Sequence, residues 1–265
     1  MISTSSQIRV YMEQNLQFYL RTRRFIVFLV LVALITALIY SLMAFKVIAV
    51  PSDEVGFDTL FYSFVGDVVL ILGSFLGGDA MATDFSLKTG TFVLSQPSKR
   101  LSILLGRYLG ALAVGAAIIT LYYILGALGM VYLFHGVPVG VGESYLLALL
   151  YTASAIGFGF LFSSMFKNGS SAIVATFLVM FLIFSIVQGV LDVTKIEPWF
   201  LLTYGGGVVT TVLSPLTFTH IHVLNEGRVS VTTYTPYVWE GIAIMVGYLA
   251  ISLIISILIY NRRQI

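Results

Sequence analysis

The chain contains six continuous apolar stretches, each about as long as the roughly 20 residues that a helix needs to cross a bilayer. Hydrophobic residues run through these stretches without alternation, which favours helices over a β-barrel. The sequence therefore predicts an all-α integral membrane protein with six transmembrane helices. We expect these helices near residues 25–45, 59–78, 103–133, 144–166, 171–190 and 239–260.

The composition excludes several classes of protein. Only 10% of the residues are charged and 58% are hydrophobic, whereas about 25% of residues are charged in a soluble domain. These values exclude a soluble enzyme, a nucleic-acid-binding domain and a disordered chain. The chain has no cysteine, so it cannot form a disulfide or use a thiol as nucleophile.

The distribution of basic residues predicts the orientation in the membrane. Of the 14 Lys and Arg residues, all but Lys46, Lys195 and Arg228 fall on one side of the six predicted helices. Basic residues are enriched on the cytoplasmic side of membrane proteins. We therefore expect a multi-pass protein of the cell membrane with both termini in the cytoplasm. The first apolar run lacks the cleavage site of a signal peptide.

The chain is expected to form a single transmembrane domain over residues 1–265, with the six-helix part at 25–260. Before it, residues 1–24 form a predicted cytoplasmic amphipathic helix. Its apolar face would carry Ile8, Met12, Leu16, Tyr19 and Leu20. Such a helix suits the membrane interface, and an ordinary cytoplasmic helix packed on another element is the alternative.

The extracytoplasmic segment 191–238 is too long for a simple connection. Residues 199–214 within it are apolar but too few to span the bilayer. A re-entrant or interfacial helical segment is expected there. The three glycines at 205–207 would break it into two short helices.

Asp67 is the only acidic residue deep inside a predicted span. A charge at that depth is costly, so the carboxyl should face protein or water. Ser63, Asp67 and Ser74 share one predicted helical face and form a candidate transport pathway. The alternative is a structural carboxyl that is hydrogen-bonded to a neighbouring helix.

Small residues recur at helix-packing spacing in the third span. Gly106 and Gly110 are separated by three residues, a spacing that lets two helices approach closely. Packing within the chain and packing between subunits both fit this pattern.

The cytoplasmic segment 79–102 carries the most specific motifs. Asp84-Phe85 is followed by Gly90-Thr91, then by Leu94, and then by Ser95-Gln96-Pro97 and Arg100. This order resembles the membrane subunits of type-2 ABC transporters. Leu213-Ser214-Pro215 and the basic C-terminus around Arg262 and Arg263 resemble the same family.

The resemblance implies a permease subunit of an ATP-driven exporter, in which two permeases assemble with two ABC ATPase subunits. No Walker A sequence is present, so ATP and Mg²⁺ would bind to the partner ATPase, with no cofactor on this chain. Residues 84–97 would form a coupling helix. The implied coupling residues are Asp84, Phe85, Lys88, Thr89, Gly90, Thr91, Leu94, Pro97 and Arg100.

The second and fifth spans would line the pathway, with Asp67 as a candidate lining residue. Whether the second permease is another copy of this chain stays open. Two other functions remain: an autonomous channel or ion-coupled carrier that uses Asp67, and a membrane scaffold or intramembrane enzyme. The Gly-, Ala- and Ser-rich interior favours a lipid-like or amphipathic substrate.

Overall fold

The computed structural model describes residues 4–22, 24–47, 51, 53–82, 100–214, 219–226 and 229–262. Within these residues lie six helical spans that are long and apolar enough to cross a membrane, so the predicted all-α membrane fold is confirmed. Their bounds are Phe25–Ala44, Glu54–Gly77, Leu101–Phe134, Val139–Met165, Gly169–Thr194 and Val238–Tyr260.

The spans are built from both continuous and interrupted helices. The described helices are α1 (Thr4–Arg21), α2 (Arg24–Ala44), α3 (Glu54–Tyr62), α4 (Val65–Leu72), α5 (Arg100–Phe134), α6 (Val139–Met165), α7 (Gly169–Phe177), α8 (Phe184–Thr194), α9 (Leu202–Gly206), α10 (Val208–Thr211) and α11 (Val238–Arg262). One π-helical turn, Gly73–Gly77, completes the second span, and another, Leu178–Ile183, joins α7 to α8 in the fifth span.

Two spans begin markedly earlier than predicted, whereas the other four begin within two residues of the expected positions. The second span starts at Glu54 and the fourth at Val139, each five residues before the position expected from the charge pattern. Glu54, Asp58 and Glu143 therefore lie inside helices instead of marking their ends. Glu54 lies in the first turn of α3, where the positive end of the helix dipole stabilises its carboxylate. Asp58 and Glu143 lie about one turn further into their helices.

The first helix, α1, packs on the third span. A Cβ atom added to Gly106 would lie 2.5 Å from the Cβ of Tyr11, and one added to Gly110 would lie 2.9 Å from the Cβ of Asn15. The two glycines thus serve close packing within the chain. Tyr19 of α1 is buried, but Leu20, which the sequence predicts on the same apolar face, is half exposed, because the buried face of α1 carries Tyr11 and Tyr19.

The fourth span is the most buried, with 72% of an 18-residue stretch of it inside the protein. Its Ser154 Oγ donates to Met245 O of the sixth span at 2.7 Å. The third span meets it through Tyr108 Oη, which donates to Ala153 O at 3.0 Å. The second, third, fifth and sixth spans all pack against the fourth. We call the end of the bundle next to α1 the α1 end, and the opposite end the hairpin end.

The hairpin end carries the elements between the fifth and sixth spans. The apolar segment forms two short helices, α9 and α10, with Gly207 between them, as the three glycines predicted. An antiparallel β-hairpin follows, β1 (Ile221–Glu226) and β2 (Val229–Tyr234), in which Ile221 pairs with Tyr234. This hairpin was not predicted from the sequence, although β-branched residues are frequent in 229–233 and a glycine, Gly227, comes shortly before them.

Candidate functional site

The predicted coupling helix at residues 84–97 lies outside the described residues. This applies to Asp84, Phe85, Lys88, Thr89, Gly90, Thr91, Leu94 and Pro97. Arg100 is the first residue of α5, and its side chain is also outside the described part. The structure does describe the two attachments of this segment, at residues 78–82 and at the start of α5.

Ser163 of the fourth span holds the chain just before the predicted coupling helix. Its Oγ accepts hydrogen bonds from the backbone N–H groups of Met81 at 2.8 Å and Ala82 at 2.9 Å. Arg107 of the third span donates from Nη1 to Ala80 O at 2.9 Å. The exit of the second span is therefore fixed to both the third and the fourth spans.

Glycines bring the second and fourth spans into backbone contact just above this exit. A Cβ atom added to Gly159 would lie 2.3 Å from Gly73 O and 2.8 Å from Gly77 Cα. A Cβ atom added to Gly78 would lie 2.9 Å from Ile173 Cα of the fifth span. Side chains larger than hydrogen do not fit at Gly159 or Gly78 without moving a backbone. A displacement of the second span at this level therefore has to move the fourth and fifth spans.

Helix α1 joins the attachments on both sides of the predicted coupling helix. Asn15 Nδ2 donates to Arg107 O of the third span at 2.7 Å. Tyr19 Oη donates to Leu76 O of the second span at 2.9 Å. These two bonds, one turn apart on the same helix face, connect the second span to the third.

The two π-helical turns meet each other. Ser74, in the turn of the second span, lies 3.9 Å from the Sδ atom of Met180 in the turn of the fifth span. A π-helical turn is a local departure from α-helical hydrogen bonding and recurs at functional sites. The second and fifth spans thus touch at a π-helical turn of each.

The structure separates the three candidate pathway residues. Ser63 and Asp67 are exposed on the outward side of the second span, whereas Ser74 is buried and donates to Leu70 O at 2.7 Å. The single predicted face therefore divides into an outward part and an inward part. Within the described residues, the Asp67 carboxyl has no hydrogen-bond partner, so the structural alternative of a bond to a neighbouring helix is not seen in the isolated chain.

Asp67 lies in the first turn of α4, after the helix is interrupted at Ser63 and Phe64. The positive end of the α4 dipole favours a carboxylate there by about 0.3–1 kcal/mol. Exposure of a charged carboxyl to the centre of a bilayer costs about 2.5–3.5 kcal/mol or more. The dipole does not offset that cost, so a charged Asp67 needs water, protein or a ligand beside it.

A polar cluster at the hairpin end was not predicted. Tyr204 Oη of α9 donates to Glu197 Oε1 at 2.6 Å, and the second oxygen of Glu197 lies 3.9 Å from His220 Nε2. His220 Nδ1 lies 2.8 Å from Thr235 O, and its ring stacks on Tyr237 with centroids 4.7 Å apart. Burial, followed by the bond to Glu197, raises the pKa of Tyr204 above its usual value.

Ser163 and this cluster were missed for the same reason. Each consists of single polar residues without a recognisable spacing. The only sequence feature that pointed to Ser163 was the pair Ser163-Ser164 near the end of an apolar span. In the polar cluster, the fold of segment 195–237 brings together residues from its two ends, such as Glu197 and Thr235.

Taken together, six apolar spans and an anchored connection at the α1 end define a multi-pass α-helical membrane subunit. The chain belongs to the ABC-2 family of transporter proteins, because the model of the family described as "ABC-2 family transporter protein" matches residues 46–259. It is therefore a membrane subunit, or permease, of an ABC transporter, as its motifs indicated. A search of the curated proteins found no match.

Proposed function

We propose that this chain is the permease subunit of an ATP-driven exporter and forms half of its substrate pathway. A separate ABC ATPase would bind ATP and Mg²⁺ and dock on residues 84–97. The observation that carries the proposal is the anchoring of Met81 and Ala82 to Ser163, inside a chain of the ABC-2 family. It gives the predicted coupling helix a direct connection to the most buried span.

The described contacts support a mechanism for coupling. A push on segment 84–97 would reach the second span through residues 78–82, and the backbone contacts of Gly73, Gly77 and Gly159 would pass it to the fourth span. The π-helical turns of the second and fifth spans would absorb the change in shape. Because helix α1 is bonded to both neighbouring spans, it would move with them.

A second permease would complete the pathway. In the isolated chain, the first, fifth and sixth spans are the least buried: 22%, 17% and 17% of an 18-residue stretch of each lies inside the protein. The first and fifth spans lie on either side of the exposed face of the second span, through the contacts of Phe28 with Phe75 and of Met180 with Ser74. Two permeases that face each other through their first, second and fifth spans would enclose the exposed part of the second span, including Asp67. The termini and α1 would lie in the cytoplasm, where the ATPase is.

The experiment is purification of the tagged protein from its native membrane in mild detergent, with mass spectrometry of the associated chains. A stoichiometric ABC ATPase is expected, together with either a second copy or a second type of permease. A monodisperse protein without any ATPase would overturn the proposal and favour the autonomous channel or carrier.

A second experiment tests the docking segment itself. Residues 84–97 are replaced by a polar linker of equal length, and the ATPase is expected to be lost while the membrane part stays folded. The control is the same type of replacement at residues 215–218, on the predicted opposite side, which should keep the ATPase bound. Retention of the ATPase after the first replacement would contradict the docking assignment.

A further inference from the structure

We propose that Asp67 makes the pathway selective for substrates that combine a positive charge with an apolar body. This inference rests on the proposed permease function and adds the class of substrate. It is carried by three observations: where the Asp67 side chain lies, which charges accompany it, and what surrounds it.

Asp67 belongs to an outward stripe of the second span. Ser63, Asp67, Ile71 and Phe75 follow one another at helical spacing, and all but the partly exposed Ile71 are exposed. At the α1 end of the stripe, Phe75 contacts Phe28 of the first span, with ring centroids 6.0 Å apart. The residue before it, Ser74, faces Met180 of the fifth span.

The stripe therefore lies between the first and fifth spans. Beside Asp67, Gly66 leaves open space, because a Cβ atom added to it would meet nothing within 4 Å. Asp67 is also more than two helical turns from either end of its span. Its carboxyl is thus placed at mid-depth, on a side that the chain itself leaves uncovered.

Within the six described spans, no basic residue lies at the depth of Asp67. Arg107 is the only Lys, Arg or His within the bounds of the six spans. It lies near the α1 end, where its Nη1 donates to Ala80 O. The other carboxyls of the spans lie close to the hairpin end, namely those of Glu54, Asp58, Glu143, Asp192 and Glu240.

In a homodimer the second copy has the same charged residues in its spans. Two Asp67 carboxyls would therefore face the pathway without a cationic side chain beside them. A carboxylate in such surroundings attracts a cation, because the interaction is weakly screened away from bulk water. Exposed aromatic side chains of the same span accompany Asp67: Phe64 is 39% and Phe75 is 42% exposed. A ligand that suits both features carries an ammonium or similar cation on an apolar body.

The absence of cysteine makes a direct test practical, because an introduced thiol is the only one in the chain. Ser63→Cys places a thiol one helical turn from Asp67 on the same stripe. Membrane vesicles that contain the transporter are supplied with ATP and treated with one of two methanethiosulfonate reagents of similar size. One carries a trimethylammonium group and the other a sulfonate. The measured quantity is the ratio of their rate constants.

The ratio for the Ser63→Cys thiol is expected to favour the cationic reagent and to fall about tenfold or more when Asp67→Asn is added. Asp67→Glu, which keeps the charge, should preserve the ratio. The control is Ser170→Cys, an exposed position at the start of the fifth span, where the ratio should not respond to Asp67→Asn. This control separates the local charge from a general change in the protein.

Two outcomes would overturn the inference. A ratio for the Ser63→Cys thiol that is the same with and without Asp67→Asn would show that the carboxyl does not select charge. A thiol that reacts with neither reagent in the Ser63→Cys variant, but reacts in the Ser170→Cys variant, would show that the stripe is sealed against water. Both results leave the permease function untouched, since that function is judged separately by whether an ABC ATPase purifies with the chain.

Discussion

The hydroxyl oxygen of Ser163 lies 2.8 Å from the backbone nitrogen of Met81 and accepts its hydrogen bond. The same oxygen accepts the bond from the next N–H, that of Ala82. Both residues are buried, and the segment that would dock on an ATPase begins directly after them. The Ser163 side chain of the fourth span thus fixes the point at which motion of segment 84–97 would be transmitted to the spans.

Ser163→Ala is expected to weaken this attachment. The substitution removes the acceptor of two buried N–H groups, and an unsatisfied buried donor costs about 1–3 kcal/mol. We expect a lower melting temperature of the purified protein. In the complex, the ATPase should stay bound. Its rate of ATP hydrolysis should be influenced less by the Ser163→Ala permease than by the wild-type permease.

Ser164→Ala is the matched control for that substitution. Ser164 is buried like Ser163, but its Oγ donates to Leu161 O within its own helix. Its removal should change the melting temperature much less. Equal effects of the two substitutions would argue that Ser163 has no special role at the attachment.

Gly159→Ala should disturb the contact between the second and fourth spans. Its methyl group would lie 2.3 Å from Gly73 O, so one backbone has to move. Overpacking of this kind costs about 1–3 kcal/mol. The measurement is the melting temperature in detergent, compared with Gly247→Ala in the sixth span, where the methyl group meets nothing within 4 Å. Gly247→Ala should be neutral or slightly stabilising, and a similar loss in both variants would count against the tight contact.

Gly106→Leu should displace α1 from the third span. The larger side chain would enter the space of Tyr11, whose Cβ lies 2.5 Å from an added Cβ at Gly106. Trypsin cleavage after the exposed Arg21 should then become severalfold faster, because cleavage requires local unfolding of the helix. Ala113→Leu, on the exposed side of the same span, is the control. Unchanged cleavage in the Gly106→Leu variant would mean that α1 is held by other contacts.

The sequence was sufficient to predict the six spans, because a long apolar run has few alternatives to a membrane helix. It was less informative about their ends. Charged residues indicate boundaries in the sequence, but Glu54 lies in the first turn of α3, where the helix dipole stabilises its carboxylate, and Glu143 lies one turn inside α6. Helix boundaries therefore depend on an interaction that a count of charges does not include.

The candidate site was predictable only in part. The two glycines of the third span and the isolated Asp67 could be found from spacing and hydropathy. Ser163, the meeting of Ser74 with Met180 and the β-hairpin depend on contacts between residues that the sequence does not mark as partners. The π-helical turns also leave no distinct pattern, since their residues are as apolar as those of the adjacent α-helices.

Tyr204→Phe should loosen the hairpin end in a way that depends on pH. The phenol donates to Glu197 Oε1 at 2.6 Å, and burial raises its pKa above the usual value of about 10. The folded state therefore keeps this proton where the unfolded state loses it. The stabilisation is fully present below about pH 10 and is lost as the pH rises through the folded-state pKa.

The measurement is the difference in melting temperature between the wild type and Tyr204→Phe as the pH is raised. The wild type should be the more stable protein at neutral pH, and its advantage should shrink above about pH 10. Other tyrosines ionise equally in both proteins, so their effect cancels in the difference. An advantage that is absent at neutral pH, or that grows in alkali, would show that the bond between Tyr204 and Glu197 does not stabilise the hairpin end.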